Sequence, residues 1–219
     1  MCRGPLNVMQ RISAALLACA CIATTHAQPT AVDELDRLLQ GIETLSATVV
    51  QLIIESDGGI LEESDIQMHL KKPDGFYWET LSPFPELVVT NGVTLWNYQP
   101  DLEQVVIEDW DTSRSELAAQ LLNGQTGNLA EEYQIELQTP RNSEAREFVL
   151  TPLASDSVYE QISINFFSSE LDLIHLDNVN GQQTVWRFNT VQRNQPMADS
   201  VFVFIPPVGI EIIENSYAQ

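Results

Sequence analysis

Cysteine, basic residues and long apolar runs are all scarce in this chain of 219 residues. The three cysteines, Cys2, Cys19 and Cys21, lie within residues 1–27, so the rest of the chain has no disulfide and no thiolate ligand for a metal. No later stretch approaches the ~20 uninterrupted apolar residues of a transmembrane helix. The net charge of −21 makes the surface repel nucleic acid, so we expect no nucleic-acid partner.

The first 27 residues have the pattern of a cleaved secretory signal peptide. Arg3 and Arg11 supply positive charge, residues 12–23 form an apolar run, and Ala27 ends a stretch that suits cleavage. Residues 28–219 are then long enough for a single domain with one core. Their net charge is −23, because both charges lost with the leader are arginines.

Cys19 offers an alternative at this end of the chain. It follows Leu16-Leu17-Ala18, which faintly resembles the lipobox of a lipid-anchored protein. The leucine two positions before the cysteine fits that motif poorly, whereas Ala27 fits a cleavage site well. We therefore expect a soluble exported protein, with a lipid-anchored protein as the alternative.

Local signatures of catalysis are also missing from residues 28–219. This region contains only two histidines, His69 and His175, which lie far apart in the sequence. It has no Gly-x-Ser-x-Gly elbow, no cysteine nucleophile and no His-Glu-x-x-His zinc motif. Carboxylate pairs that meet only in space leave no such trace, so they are the enzymatic alternative. The sequence favours a protein that is not an enzyme and has no metal and no cofactor.

An amphipathic helix is predicted to begin near residue 30. Thr30 or Asp33 can cap it, and acidic residues suit its first turn. A second helix is predicted over about residues 114–122, where Leu121 and Leu122 lie on one face. The apolar residues that recur at helical spacing in the first helix are Val32, Leu35, Leu38, Leu39, Ile42 and Leu45.

Elsewhere apolar and polar residues alternate, which is typical of strands. Ile66, Met68 and Leu70 are the clearest example. Asn91-Gly92 and Asn180-Gly181 lie between strand-like runs and predict hairpins. About a dozen strands joined by short turns form an antiparallel sheet that curls. Two helices cover too little of such a sheet, so we expect an interior that is packed with side chains or hollow for a lipid-sized ligand.

Several short segments of the sequence, in this order and at this spacing, are typical of a known family. The segments are Leu70-Lys71-Lys72-Pro73, Phe76-Tyr77-Trp78-Glu79, Val88-Val89-Thr90-Asn91-Gly92, Thr94-Leu95-Trp96-Asn97-Tyr98, Glu103-Gln104, Leu121-Leu122-Asn123-Gly124, Phe148-Val149-Leu150-Thr151-Pro152 and Phe202-Val203-Phe204-Ile205-Pro206-Pro207-Val208-Gly209. Together they resemble the LolA family, the periplasmic carriers of outer-membrane lipoproteins, over nearly all of residues 28–219.

The resemblance implies a mainly β fold, an unclosed antiparallel β-barrel of about eleven strands with a helical lid over a hydrophobic cavity. It implies a monomeric periplasmic chaperone that carries acylated lipoproteins from the inner to the outer membrane. Its partners would be an inner-membrane lipoprotein-releasing transporter and an outer-membrane lipoprotein receptor. Two alternatives share the fold: a carrier of another lipid, and a lipid-anchored outer-membrane receptor.

The predicted site residues fall into three groups. Leu39 on the first helix, with Leu121 and Leu122 on the second, are predicted for the lid. Lys72 precedes Pro73 where the family places an arginine that ties barrel to lid, so we expect a weakened latch, with an exposed turn lysine as the alternative. Leu117-Ala118 replaces a family Thr-Pro and leaves the cargo open. The residues predicted for the sheet side of the lipid-binding cavity are Leu45, Val49, Phe76, Trp78 and Trp96.

Overall fold

The computed structural model describes Met1 and residues 29–110, 129–139 and 143–215. No helix within these ranges has the length and apolar character needed to cross a membrane. The α-helices here are α1 (Ala31–Gln40) and α2 (Leu129–Glu132). The strands here are β1 (Thr44–Ile54), β2 (Ile60–Lys71), β3 (Gly75–Ser82), β4 (Glu86–Asn91), β5 (Thr94–Gln99), β6 (Gln104–Asp109), β7 (Tyr133–Leu137), β8 (Ala145–Pro152), β9 (Tyr159–Phe167), β10 (Glu170–Asn178), β11 (Gln183–Arg193) and β12 (Glu211–Asn215).

The residue that caps α1 is Thr30. Its Oγ1 accepts a hydrogen bond from the backbone N–H of Asp33 (3.1 Å), and the Asp33 carboxylate accepts one from the backbone N–H of Thr30 (3.0 Å). These bonds with Thr30 hold the pKa of Asp33 below its usual value. Leu35, Leu38 and Leu39 are buried on one face of the helix, as their spacing predicted. Ile42 and Leu45 were predicted for the same stripe but lie beyond the helix, which ends at Gln40, and Leu45 belongs to β1.

All twelve strands belong to one unclosed sheet, which confirms the mainly β fold inferred from the sequence. The strand order is β12-β6-β5-β4-β3-β2-β1-β11-β10-β9-β8-β7, so β12 and β7 are the two edges. The eleven strands β1 to β11 pair only antiparallel with one another, and the sequence predicted about eleven strands.

The twelfth strand departs from the prediction of a wholly antiparallel sheet. β12 runs parallel to β6, with Glu211 opposite Gln104. Parallel neighbours need a crossover connection rather than a hairpin, and residues 194–210 bring the chain from the end of β11 to the β6 edge of the sheet. Alternation of apolar residues predicts a strand but carries no information on its direction, so this strand could not be oriented from the sequence.

Two glycine turns join strands where hairpins were predicted. Asn91-Gly92 lies between β4 and β5, and Asn180-Gly181 lies between β10 and β11. Gly92 has a φ of +86°, and a Cβ there would lie 2.6 Å from the Cβ of Asp74, so the position requires glycine. The β4–β5 turn therefore packs against the β2–β3 turn. We call this end of the sheet the helix end, because α1 also ends there beside Lys72.

The two faces of the sheet are covered differently. The inner face carries a large apolar cluster that includes the buried side of α1. The outer face of β2 to β5 is crossed by the chain that leads to β12. Lys71 Nζ donates to the Met197 carbonyl oxygen (2.8 Å), and the ring centroids of Tyr98 and Phe204 are 5.1 Å apart. Phe202 is buried on this outer face against Gly75.

Candidate functional site

The inner face brings together four of the residues predicted for the cavity and lid. Leu45 of β1 lies opposite Leu70 of β2, which lies opposite Phe76 of β3. Val49 of β1 and Leu39 of α1 belong to the same buried cluster. None of the four predicted residues is more than 4% exposed. The sheet side and the helix side therefore meet in one apolar layer.

Trp78, the fifth predicted residue on this face, extends the layer with aromatic rings. Its indole stacks on Phe76, with centroids 6.0 Å apart and planes 14° apart, and meets Trp186 edge-on at 5.7 Å. The Trp186 Nε1–H donates to Gln51 Oε1 (2.7 Å), so its one polar atom is satisfied. Trp78 is only half-buried, which leaves part of this aromatic row accessible.

Trp96 was predicted for the cavity, but the register places it on the outer face. Phe76 lies opposite Thr90, and Thr90 lies opposite Leu95, so Leu95 is the inner-face residue of that pair in β5. Trp96 is the next residue and points the opposite way, beside Val89. Leu95 and Trp96 are both apolar, so alternation alone could not choose between them, and a shift of one residue reverses the face.

Ten of the 22 buried residues in the inner cluster come from β8 to β11, strands that the sequence-based choice of site residues left out. Its members alternate with polar residues along β8 to β11, which is the signal that could have found them. Leu121 and Leu122, predicted for the lid, lie outside the described residues, as does Leu117-Ala118. The buried residues that β8 to β11 add are Phe148, Leu150, Ile162, Ile164, Phe166, Leu171, Ile174, Leu176, Trp186 and Phe188.

Lys72 joins the β2–β3 turn to the end of α1. Its Nζ donates to the carbonyl oxygens of Leu39 (3.0 Å) and Gln40 (3.1 Å). Carbonyls in the last turn of a helix carry partial negative charge, which favours a cation at this position. Burial lowers the pKa of Lys72 from its ordinary value, and Glu43 and Asp36 oppose that change. The lysine is thus half-buried and bonded to α1 rather than extended into solvent.

Two further side chains hold the residue after α1. Arg193 Nε and Asn194 Nδ2 both donate to the Gly41 carbonyl oxygen, at 3.2 and 2.9 Å. Arg193 Nη1 also donates to the Ser169 carbonyl oxygen in the β9–β10 turn (3.0 Å). The end of α1 is therefore fixed to both halves of the sheet, through Lys72 on one side and Arg193 on the other.

The first half of α1 is held by an ion pair. Glu34 Oε1 lies 2.7 Å from Arg146 Nε, and the two side chains are only 10% and 21% exposed. Arg146 lies opposite Phe166, so its side chain leaves the inner face of β8 toward the helix. Burying two charges costs hydration free energy, and their mutual attraction offsets this cost only while the two groups stay in contact. Displacement of α1 from the sheet would break this pair.

His69, one of the two histidines in residues 28–219, is a half-buried residue of β2. It lies on the outer face, opposite Ser46 and Tyr77, away from the inner cluster. Its Nδ1 is 2.9 Å from Ser46 Oγ, and its ring centroid is 5.3 Å from that of Tyr77. Desolvation lowers the pKa of His69, and Glu79 partly opposes this. The neutral ring is therefore favoured at neutral pH.

Comparison with known proteins identifies the family. The model of the family described as "Outer membrane lipoprotein carrier protein LolA" matches residues 40–205. The chain is 32% identical over 211 residues to an outer-membrane lipoprotein carrier protein of Hahella chejuensis, an alignment that covers 96% of this chain and 100% of that protein. It is 32% identical over 192 residues to the protein of the same name from Chromohalobacter salexigens, covering 88% and 90%.

Among solved structures, the chain is similar to a LolA superfamily protein from Nitrosomonas europaea. The TM-score is 0.43 at 12% sequence identity, and the alignment covers 80% of this chain and 96% of that one. The family model spans most of the sequence, and both sequence relatives align along nearly their whole length. The chain therefore belongs to the LolA family of outer membrane lipoprotein carrier proteins.

Proposed function

We propose that this protein is a periplasmic carrier that binds the acyl chains of lipoproteins on its inner face and takes them from the inner to the outer membrane. The observation that carries the proposal is the apolar layer shared by Leu39, Leu45, Val49 and Phe76. An acyl chain of ~16 carbons costs on the order of 10 kcal/mol to expose to water, so it needs such a surface during transfer. The names of the family and of both sequence relatives support this cargo.

Loading requires the acyl chain to take the place of side chains that now cover the inner face. Leu35 and Leu39 of α1 are 0% exposed there, so cargo and helix compete for the same apolar surface. Polar contacts hold α1 from both ends, through Glu34 and Lys72, and all of them are reversible. We therefore assign α1 as the movable cover and Lys72 and Glu34 as positioning residues that set how readily it moves.

The proposed partners follow from this exchange. An inner-membrane lipoprotein-releasing transporter would supply the acylated cargo, and an outer-membrane lipoprotein receptor would accept it from a monomeric carrier. Neither step makes or breaks a covalent bond, so the role needs no catalytic group. The signal-peptide pattern over residues 1–27 supports delivery of the chain to the periplasm.

Quenching of tryptophan fluorescence by a brominated acyl chain tests this proposal. Bromine quenches an indole that it contacts, and the chain has four tryptophans. One variant keeps Trp78 and replaces Trp96, Trp110 and Trp186 by Phe; the matched control keeps Trp96 alone. Because Trp78 lies on the inner face and Trp96 on the outer face, a dibrominated fatty acid should quench Trp78 saturably and leave Trp96 unchanged.

Comparison with the control variant also defines the results that would contradict the proposal. Equal quenching of both tryptophans would place the acyl chain elsewhere, and absence of quenching in both would remove the carrier assignment. A synthetic triacylated lipopeptide, added as competitor, should restore Trp78 fluorescence if lipoprotein acyl chains occupy the same surface.

A further inference from the structure

Along the inner face of six neighbouring strands, an apolar residue is followed by a polar one with increasing distance from the helix end, and β6 also carries Glu108 nearer that end. On the helix-end side of the change lie apolar residues such as Val49 and Ile66. We call the six residues at the change the polar band, and the register places them on the inner face. They are Gln51 in β1, Ser64 in β2, Thr80 in β3, Glu86 in β4, Gln99 in β5 and Gln104 in β6.

Three members of the band form a hydrogen-bonded ladder. Gln99 Nε2 donates to Glu86 Oε1 (3.0 Å), and Gln104 Nε2 donates to Gln99 Oε1 (2.7 Å). All three side chains are half-buried, so they contact one another and solvent at the same time. The ladder thus carries a carboxylate and two amides across the width of three strands.

The rest of the band is polar in the same way. Gln51 accepts the hydrogen bond from Trp186, and Ser64 donates to Glu62 Oε1 (2.7 Å). On β5 the change begins one inner position earlier, at Asn97. The Oδ1 of Asn97 is buried without a hydrogen-bond partner in the described part of the chain. A methylene group laid over these atoms could satisfy none of them.

Covering the polar band with methylene groups costs more free energy of desolvation than the burial of those methylene groups provides. Each methylene that leaves water for an apolar surface tightens binding roughly fourfold. Over the band, the same methylene would strip water from the Glu86 carboxylate and from amides, and it offers no hydrogen bond in return. Further methylenes beyond this position should therefore add no affinity.

We propose that the polar band sets how far an acyl chain extends along the inner face, and that Gln99 and Gln104 are therefore residues that determine acyl-chain length. The inference rests on the proposed function, since it presumes that acyl chains lie on this face. It adds a direction: the methyl end of the chain points away from the helix end and stops at the band, and the polar end of the lipid stays near Lys72.

The test is a chain-length series with free saturated fatty acids, used as probes that displace a fluorescent fatty acid. With the parent protein, affinity should rise roughly fourfold per methylene up to one length and then level off. Gln99→Met keeps the side-chain length and removes the amide, so the plateau should begin at a longer chain and the longest acid should bind at least about tenfold tighter. Gln104→Met, at the end of the ladder, should give a smaller shift.

Gln67→Met is the matched control, because Gln67 lies on the outer face of β2, opposite Glu79. It should leave the plateau where the parent has it. An unchanged plateau in both inner-face variants, with native thermal unfolding in at least Gln104→Met, would overturn the inference alone, and so would an equal shift in Gln67→Met. Binding with no plateau in the parent would do the same. Failure of the parent to bind any fatty acid would overturn the proposed function with it.

Discussion

Glu34 and Arg146 are separated by 112 residues in the sequence, yet Arg146 Nε lies 2.7 Å from Glu34 Oε1. The pair joins the first half of α1 to the inner face of β8. Together with the contacts of Lys72, Arg193 and Asn194 at the other end of the helix, it means that α1 is held at two places about two turns apart.

Removal of one partner of this ion pair should loosen α1. Arg146→Leu removes the positive charge that lies against the part-buried Glu34 carboxylate, so the helix should be displaced more often. We expect faster amide hydrogen exchange over residues 31–40 in Arg146→Leu and in Glu34→Leu. The double variant should lose less stability than the sum of the losses in the two single variants. The difference, which is the coupling free energy of the pair, should be about 1–2 kcal/mol. If the stability losses of the two single variants simply add up in the double variant, the pair does not hold the helix.

Substitution of Lys72 should change the rate of cargo transfer. Arginine offers five donors in a rigid plane and lysine three on a flexible stem, so Lys72→Arg should bond the carbonyls of Leu39 and Gln40 more firmly. Lys72→Leu removes these bonds, which are worth about 1 kcal/mol. A more stable empty state favours release, so hand-over of a lipoprotein to a receptor should be faster with arginine and slower with leucine.

The same three proteins provide the control. Hydrogen exchange over residues 31–40 should slow in Lys72→Arg and quicken in Lys72→Leu, with little change in the global unfolding midpoint. If exchange and transfer rates are alike in all three, Lys72 is an ordinary turn residue.

Stability should fall as the pH is lowered through the titration of His69. Desolvation lowers the pKa of His69 in the folded protein below its ordinary value of 6.5, which the unfolded chain retains. The unfolded chain therefore takes up a proton at a higher pH than the folded protein does, and protonation favours unfolding. The contribution is complete above pH 6.5 and is lost below it. Urea denaturation of the parent and of His69→Gln, from pH 7.5 to pH 5, should show a steeper loss in the parent; parallel curves would contradict this.

The exported protein should begin at Gln28 and carry no lipid. The prediction follows from the cleavage pattern that ends at Ala27 and from the poor lipobox before Cys19. Intact-mass measurement of protein purified from periplasm decides the matter. A diacylated N-terminal cysteine would instead support a lipid-anchored receptor of this fold.

Periodicity and turn residues were enough to predict α1, most strands and the hairpins at Gly92 and Gly181, because these features depend on neighbours in the sequence. Trp96 shows where this information ends. The segment from Leu95 to Tyr98 has apolar residues on both faces, so only pairing with β4 reveals which one faces inward. The pair of Glu34 and Arg146 had no local signal at all, since the residues meet only when α1 docks on β8.

The position of β1 in the sheet bears on how the chain folds. Leu45 pairs with Leu70 on one side but with Arg193 on the other, and Arg193 lies 148 residues later in the sequence. β1 to β6 and β7 to β11 can each form from hairpins between sequence neighbours, whereas the seam between β1 and β11 requires closure of a very long loop. Contacts so distant in sequence slow folding. If the chain folds from its N-terminus onward, β1 must stay available as an open edge until the strand that ends at Arg193 has formed.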